Sequence, residues 1–121
     1  MNIRPDASEL LAIARQTLLS DLLAQLPDSA RYQALMVANA MAIAGREYRD
    51  GAAADLSETQ LLEPLLGATG QPLTAARQAL CQAIRQGRFD ASGREQDGLF
   101  SVLSAITQAR LSISNPKALA Q

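Results

Sequence analysis

The chain has 121 residues, enough for one domain with a real hydrophobic core, and a formal net charge of -1 from 11 Lys and Arg against 12 Asp and Glu. Its basic residues are almost all Arg, with Lys117 the only lysine, and their scatter lacks the positive stripe needed to track a phosphate backbone, which argues against nucleic acid as a partner. Histidine is absent and Cys81 stands alone, which removes the commonest general base and metal ligand, any Cys-His pair and any intramolecular disulfide.

Pro5-Asp6 followed by Glu9 reads as a helix start, with Asp6 as cap and Glu9 completing a capping box. Leu11, Ala14, Leu18, Leu22 and Leu26 then form one apolar stripe, widened by Leu19 and Leu23. Pro27-Asp28-Ser29 ends this helix and starts the next within a few residues, which makes the two antiparallel neighbours. The second helix holds the most apolar stretch of the chain, RYQALMVANAMAIAGREY at residues 31–48. One side carries Tyr32, Leu35, Met36, Ala42 and Ile43, the other Val37, Met41, Ala44 and Tyr48. Such a helix calls for neighbours nearly all round, and it is too short and too closely flanked by charge to cross a bilayer.

Asp50-Gly51 reads as the exit of this central helix. Gly45 inside it costs about 1 kcal/mol relative to Ala, which a close helix crossing or a kink beside a site would explain. The acidic Asp55, Glu58 and Glu63 read as a solvated face, and Ser57 caps a short helix bearing Leu61, Leu62, Leu65 and Leu66, stopped at Gly67. Gln71-Pro72 opens a further helix with a core face of Leu73, Ala76, Leu80, Ala83 and Ile84, with Cys81 packed beside it as an inert thiol and Gly87 as its end. Residues 88–98 read as a loop with Phe89 turned inward. The last helix carries Leu99, Val102, Leu103 and Ile106, with Phe100, Thr107 and Leu111 beside them, and Asn115-Pro116 stops it. The expected fold is therefore all-α, an irregular bundle of four main helices plus one short helix around a buried central helix at about residues 30–49, in a single domain over residues 1–121.

No apolar signal segment, transmembrane window or lipidation motif is present, so a soluble, cytoplasmic protein is expected. No pair of carboxylates, glycine-rich phosphate fingerprint or ligand cluster points to catalysis, a cofactor or a metal. Asn39 is the strongest local anomaly, a single amide in an apolar run on the face of Tyr32, Met36, Ile43 and Arg46. A buried amide needs a partner. It bridges two helices, donates to a terminal carbonyl, or lines a small polar pocket with Arg46. The ligand-binding candidates are accordingly Asn39, Arg46, Tyr48, Asn115 and Lys117, and the structural polar candidates Asn39, Arg46, Glu47 and Asn115.

The words RPDASELL at the start, VANAMAIAGRE in the centre and LSISNPKAL at the end give the chain a further reading. It resembles, nearly end to end, a small uncharacterised bacterial domain family whose members are often encoded beside, or attached to, aminoglycoside-phosphotransferase-like kinases and acyl-CoA dehydrogenases. The family pattern carries over to Arg4, Pro5, Leu10, Asn39, Arg46, Glu47, Asn115, Pro116 and Lys117. Gln33 and Leu35 stand where many relatives carry His and Arg, and Ala118 where an aromatic residue is common, so a His-dependent activity is not expected here. The resemblance implies a non-catalytic accessory or protein-interaction role with a kinase-like or acyl-CoA dehydrogenase partner. A small-molecule module for an acyl or carboxylate ligand and a self-associating homo-oligomer are the alternatives.

Overall fold

The computed structural model describes residues 3–120. It contains four main helices, α1 (Ala7–Thr17), α2 (Asp28–Leu66), α3 (Leu73–Arg85) and α4 (Arg94–Ser114), and a closing 3-10 turn over Pro116–Ala120, with no strand among the described residues. The all-α class and the four main helices are as expected, with α2 as the central one. Two compact units divide the chain, one reaching to Ala52 and including Ile113–Pro116, the other comprising Ala53–Ser112 and the residues from Lys117 on.

In the first unit, α1 begins as its sequence dictates. Asp6 Oδ1 accepts from the Glu9 amide at 3.0 Å and Glu9 Oε2 accepts from the Asp6 amide at 2.8 Å, so two of the orphan amides of the helix start are satisfied reciprocally. Arg4 holds the other Glu9 oxygen at 2.6 Å. After Thr17 the helix widens into a π turn over Leu18–Leu22 and then tightens into a 3-10 turn over Leu23–Gln25. These changes of pitch break the expected stripe after Thr17, where Leu18, Leu19, Leu23 and Leu26 are half-buried and Leu22 faces solvent; before them Leu11 is half-buried and Ala14 is exposed.

The antiparallel pairing of α1 with the start of α2 is present. Arg15 Nε donates to the Ala38 carbonyl at 3.2 Å, and one stretch further along, Gly45 lies opposite Leu11 and Ser8. The side of α2 turned to α1 is made of small residues, Ala34, Ala38 and Gly45, all buried, because short side chains let two helix backbones approach closely. Gly45 therefore sits at a close crossing. Burial nearly all round α2 is corrected: Tyr32, Leu35, Met36, Val37 and Tyr48 are exposed. One antiparallel helix covers one side of another, and the bulky apolar residues are on the sides that α1 does not reach.

A second correction concerns length. α2 runs through Asp50-Gly51 and absorbs the short helix expected after Ser57. Gly51 does not take the left-handed conformation that would end a helix, and the Glu47 side chain one turn earlier lies over it, its Oε1 2.6 Å from where a Cβ would stand. Ala52, Ala53 and Ala54 then carry the helix on as the strongest helix formers. The true stop is Gly67, whose positive φ of 69° and amide bond to the Glu63 carbonyl at 2.9 Å close the helix one turn after Pro64.

The second unit has the better core. Leu62, Ala76, Leu80, Phe89 and Leu99 form one buried cluster, walled by Leu65, Leu66, Leu73, Ala83, Val102 and Ile106. α3 ends in a Schellman motif, with Gly87 at φ 82°, its amide bonded to the Ile84 carbonyl, and the Arg88 amide bonded to the Ala83 carbonyl. That reversal folds Phe89 back into the core, and Gln96 Nε2 fixes it there by donating to the Phe89 carbonyl at 3.0 Å. The expected loop is shorter than residues 88–98, since α4 starts at Arg94. Ile84 and Leu103, assigned to core faces from spacing, are exposed, as are Phe100, placed beside such a face, and Cys81.

A methyl group at Gly45 would meet Leu11 Cβ and the Ser8 carbonyl oxygen at 4.0 Å, which is ordinary contact. Gly45→Ala should therefore stabilise the protein by up to about 1 kcal/mol through helix propensity, seen as a raised Tm in circular-dichroism melts. Gly45→Leu should lower it, because the larger side chain has to displace α1.

Candidate functional site

The most concentrated charge in the second unit is a cluster that the sequence reading did not assemble. Glu58, on α2, is 6% exposed, against the expectation that this acidic segment is a solvated face. Arg77 of α3 grips it bidentately, Nε to Oε1 at 2.6 Å and NH2 to Oε2 at 2.8 Å. Arg110 of α4 reaches Oε2 at 3.5 Å and bonds closely to Asp55, which also lies 4.0 Å from Arg77. Glu58 is buried because it precedes Leu62 by one turn on the inward side of α2. Its partners stand 19 and 52 residues away, so no local spacing announces the pair.

The chemistry of this cluster is that of a tie. The Arg77 hydrogen bonds hold the Glu58 carboxyl below the usual carboxylate range, overcoming burial, which pushes the other way, with the Arg77 charge and Arg110 adding to the effect. Arg77 is raised in turn, chiefly by the same hydrogen bonds, and Arg110 by its bond to Asp55. Glu58 and the two guanidinium groups are thus held in their ionised states. A carboxylate held so firmly ionised and so fully hydrogen-bonded is a poor proton acceptor near neutrality.

In the first unit, the residues predicted to form a polar seam separate. Asn39 is exposed, which overturns its reading as a buried amide. Tyr48, Asn115 and Lys117 are exposed as well. Arg46 reaches the end of α4: its Nε donates at 2.6 Å to the carbonyl of Ile113, a buried residue two positions before Asn115. A helix C-terminus leaves such carbonyls without helical partners, and Arg supplies a donor together with a charge that suits the negative end of the helix dipole. Glu47, the remaining structural candidate, covers Gly51. The structure therefore joins Arg46 to the chain end and leaves Asn39 outside that contact.

The same exposure creates a second kind of candidate. Tyr32 is 72% exposed and Met36 49%, with the exposed Leu35 beside them and Asn39 one turn on. At about 100° per residue, Tyr32, Met36, Asn39 and Ile43 lie along one line on α2, roughly opposite Ala38 and Gly45. The interval pattern of four, three and four residues is that by which one helix packs along another.

Among the described residues, no group of three or more Asp, Glu, Cys or His side chains is placed to hold a metal ion, and no helix is long and apolar enough to cross a membrane. The model of a family described as a domain of unknown function, DUF6285, matches residues 24–118. No curated protein and no solved structure matches the chain.

Two substitutions test these assignments. Because Glu58 titrates lower when folded, its contribution is fully present above its unfolded pKa and is lost as pH falls through the folded value. Glu58→Gln should cost about 1 to 3 kcal/mol at neutral pH, toward the lower end because Arg77 is half exposed. The gap in Tm between wild type and variant should close on acidification through and below the carboxylate range. Arg46→Ala should lower stability by about 1 to 2 kcal/mol through the loss of the Ile113 contact, measurable by urea denaturation.

Proposed function

The chain belongs to the DUF6285 family, its model covering residues 24–118, and from that premise we propose that it works as a non-catalytic accessory domain that docks onto a partner protein through α2. The observation that carries this reading is the row of bulky apolar side chains on α2 that the chain itself leaves bare, Tyr32 at 72% exposure foremost. Single exposed apolar residues are commonplace, but a row on one side of one helix is the usual mark of an interaction surface. Its spacing suits a partner that offers an apolar helix, and Asn39 within the row would set the register, as a lone amide does in a helical seam. The partner class favoured by the resemblance is a phosphotransferase-like kinase or an acyl-CoA dehydrogenase.

The test uses the full chain and the purified kinase-like or dehydrogenase protein encoded beside it. Association at micromolar concentration is expected, and it should be lost in Tyr32→Glu/Met36→Glu with the circular-dichroism spectrum unchanged, since both positions are exposed. No association, together with no effect on the partner's activity, would sink the proposal. Light scattering across a concentration series separates this outcome from self-association: growth in mass with concentration, abolished by the same double substitution, would assign the row to a second copy of the chain instead.

A further inference from the structure

A groove of about 320 Å³ runs between α1 and the first half of α2 in the first unit, at the small end of the range for small-molecule sites. Arg15, Arg46 and Arg49 line it together with the apolar Leu11 and Met41, and with Gly45, where the missing side chain leaves space. Arg15 and Arg46 are each anchored through Nε alone, to the carbonyls of Ala38 and Ile113. Among the described residues, neither has a carboxylate within ion-pair distance, and the terminal nitrogens of neither make a hydrogen bond within the chain. Arg49 has a loose contact of 3.7 Å with the exposed Asp50. The chain therefore holds two guanidinium groups in fixed positions beside an apolar floor, without neutralising either.

We infer that this groove binds a small organic phosphate, a phosphate monoester carried on an apolar body. A guanidinium presents its donors as a planar fork suited to oxyanions, and anchoring through Nε leaves that fork intact while removing most of the side chain's freedom. Two uncompensated positive charges match a group that carries close to two negative charges at neutral pH, as a phosphate monoester does, better than a monoanionic carboxylate. Leu11 and Met41 would take the apolar portion, with Met adapting its shape to it. Tyr32 and Met36 do not line this groove, so its failure would leave the docking proposal standing.

The test is a titration of the full chain with phenyl phosphate and, separately, with benzoate, read by NMR at the arginine Nε–Hε signals and the Met41 methyl, and by calorimetry. Phenyl phosphate should shift Arg15, Arg46 and Met41 and bind more tightly than benzoate. Arg15→Gln and Arg49→Gln, checked for folding by circular dichroism, should each weaken it, Arg15→Gln by about ten-fold or more. Arg94→Gln, outside the groove, should leave it unchanged. No binding of phenyl phosphate up to about 10 mM, which is weaker than any specific site of this size, would overturn the inference. Equal affinity for benzoate would overturn the assignment of a dianion, and undiminished binding by both groove variants would overturn the site.

Discussion

The grip of Arg77 on both oxygens of Glu58 is the interaction on which the second unit depends. A carboxylate as buried as this one is strongly unfavourable without partners, so α3 has to present Arg77 where α2 presents Glu58. Arg110 extends the same constraint to α4. The apolar cluster around Leu62 supplies most of the attraction, which is non-directional. The bidentate pair supplies what the apolar cluster lacks, a geometry that tolerates little sliding or rotation of α3 along α2.

What was legible in the sequence is what is decided within a turn or two of chain. The Asp6 and Glu9 capping box, the stops at Gly67 and Gly87 and the break at Pro116 all follow from local backbone requirements, and the structure has each of them. Asp50-Gly51 carries an equally local stop signal, but there it was overridden by Glu47 packing over the glycine and by the alanines that follow. The Leu stripe of α1 presupposes a constant helical pitch, which the π turn at Leu18–Leu22 breaks.

Long-range pairing was not legible. Nothing near Glu58 in the chain is basic, and Arg77 and Arg110 carry no mark that distinguishes them from the other arginines. Apolar content did not predict burial either. In residues 31–48 the buried positions are Ala34, Ala38 and Gly45, while Tyr32, Leu35, Met36, Val37 and Tyr48 are bare, because a close helix crossing selects for small size, while hydrophobicity alone does not say what covers a side chain. Sequence spacing places Arg46 in a polar seam with Asn39. It does meet the chain end, but through the Ile113 carbonyl and without the amide.

The small-residue side of α2 constrains how this protein can diverge. Ala34, Ala38 and Gly45 are limited by the nearness of α1, a condition internal to the chain that holds in any lineage that keeps the fold. Tyr32, Leu35 and Met36 are under no such internal limit. Two sides of one helix should accordingly drift at different rates. The Ala and Gly positions would exchange only among the smallest residues, while the bulky row would persist where its external use persists and turn polar where that use is lost.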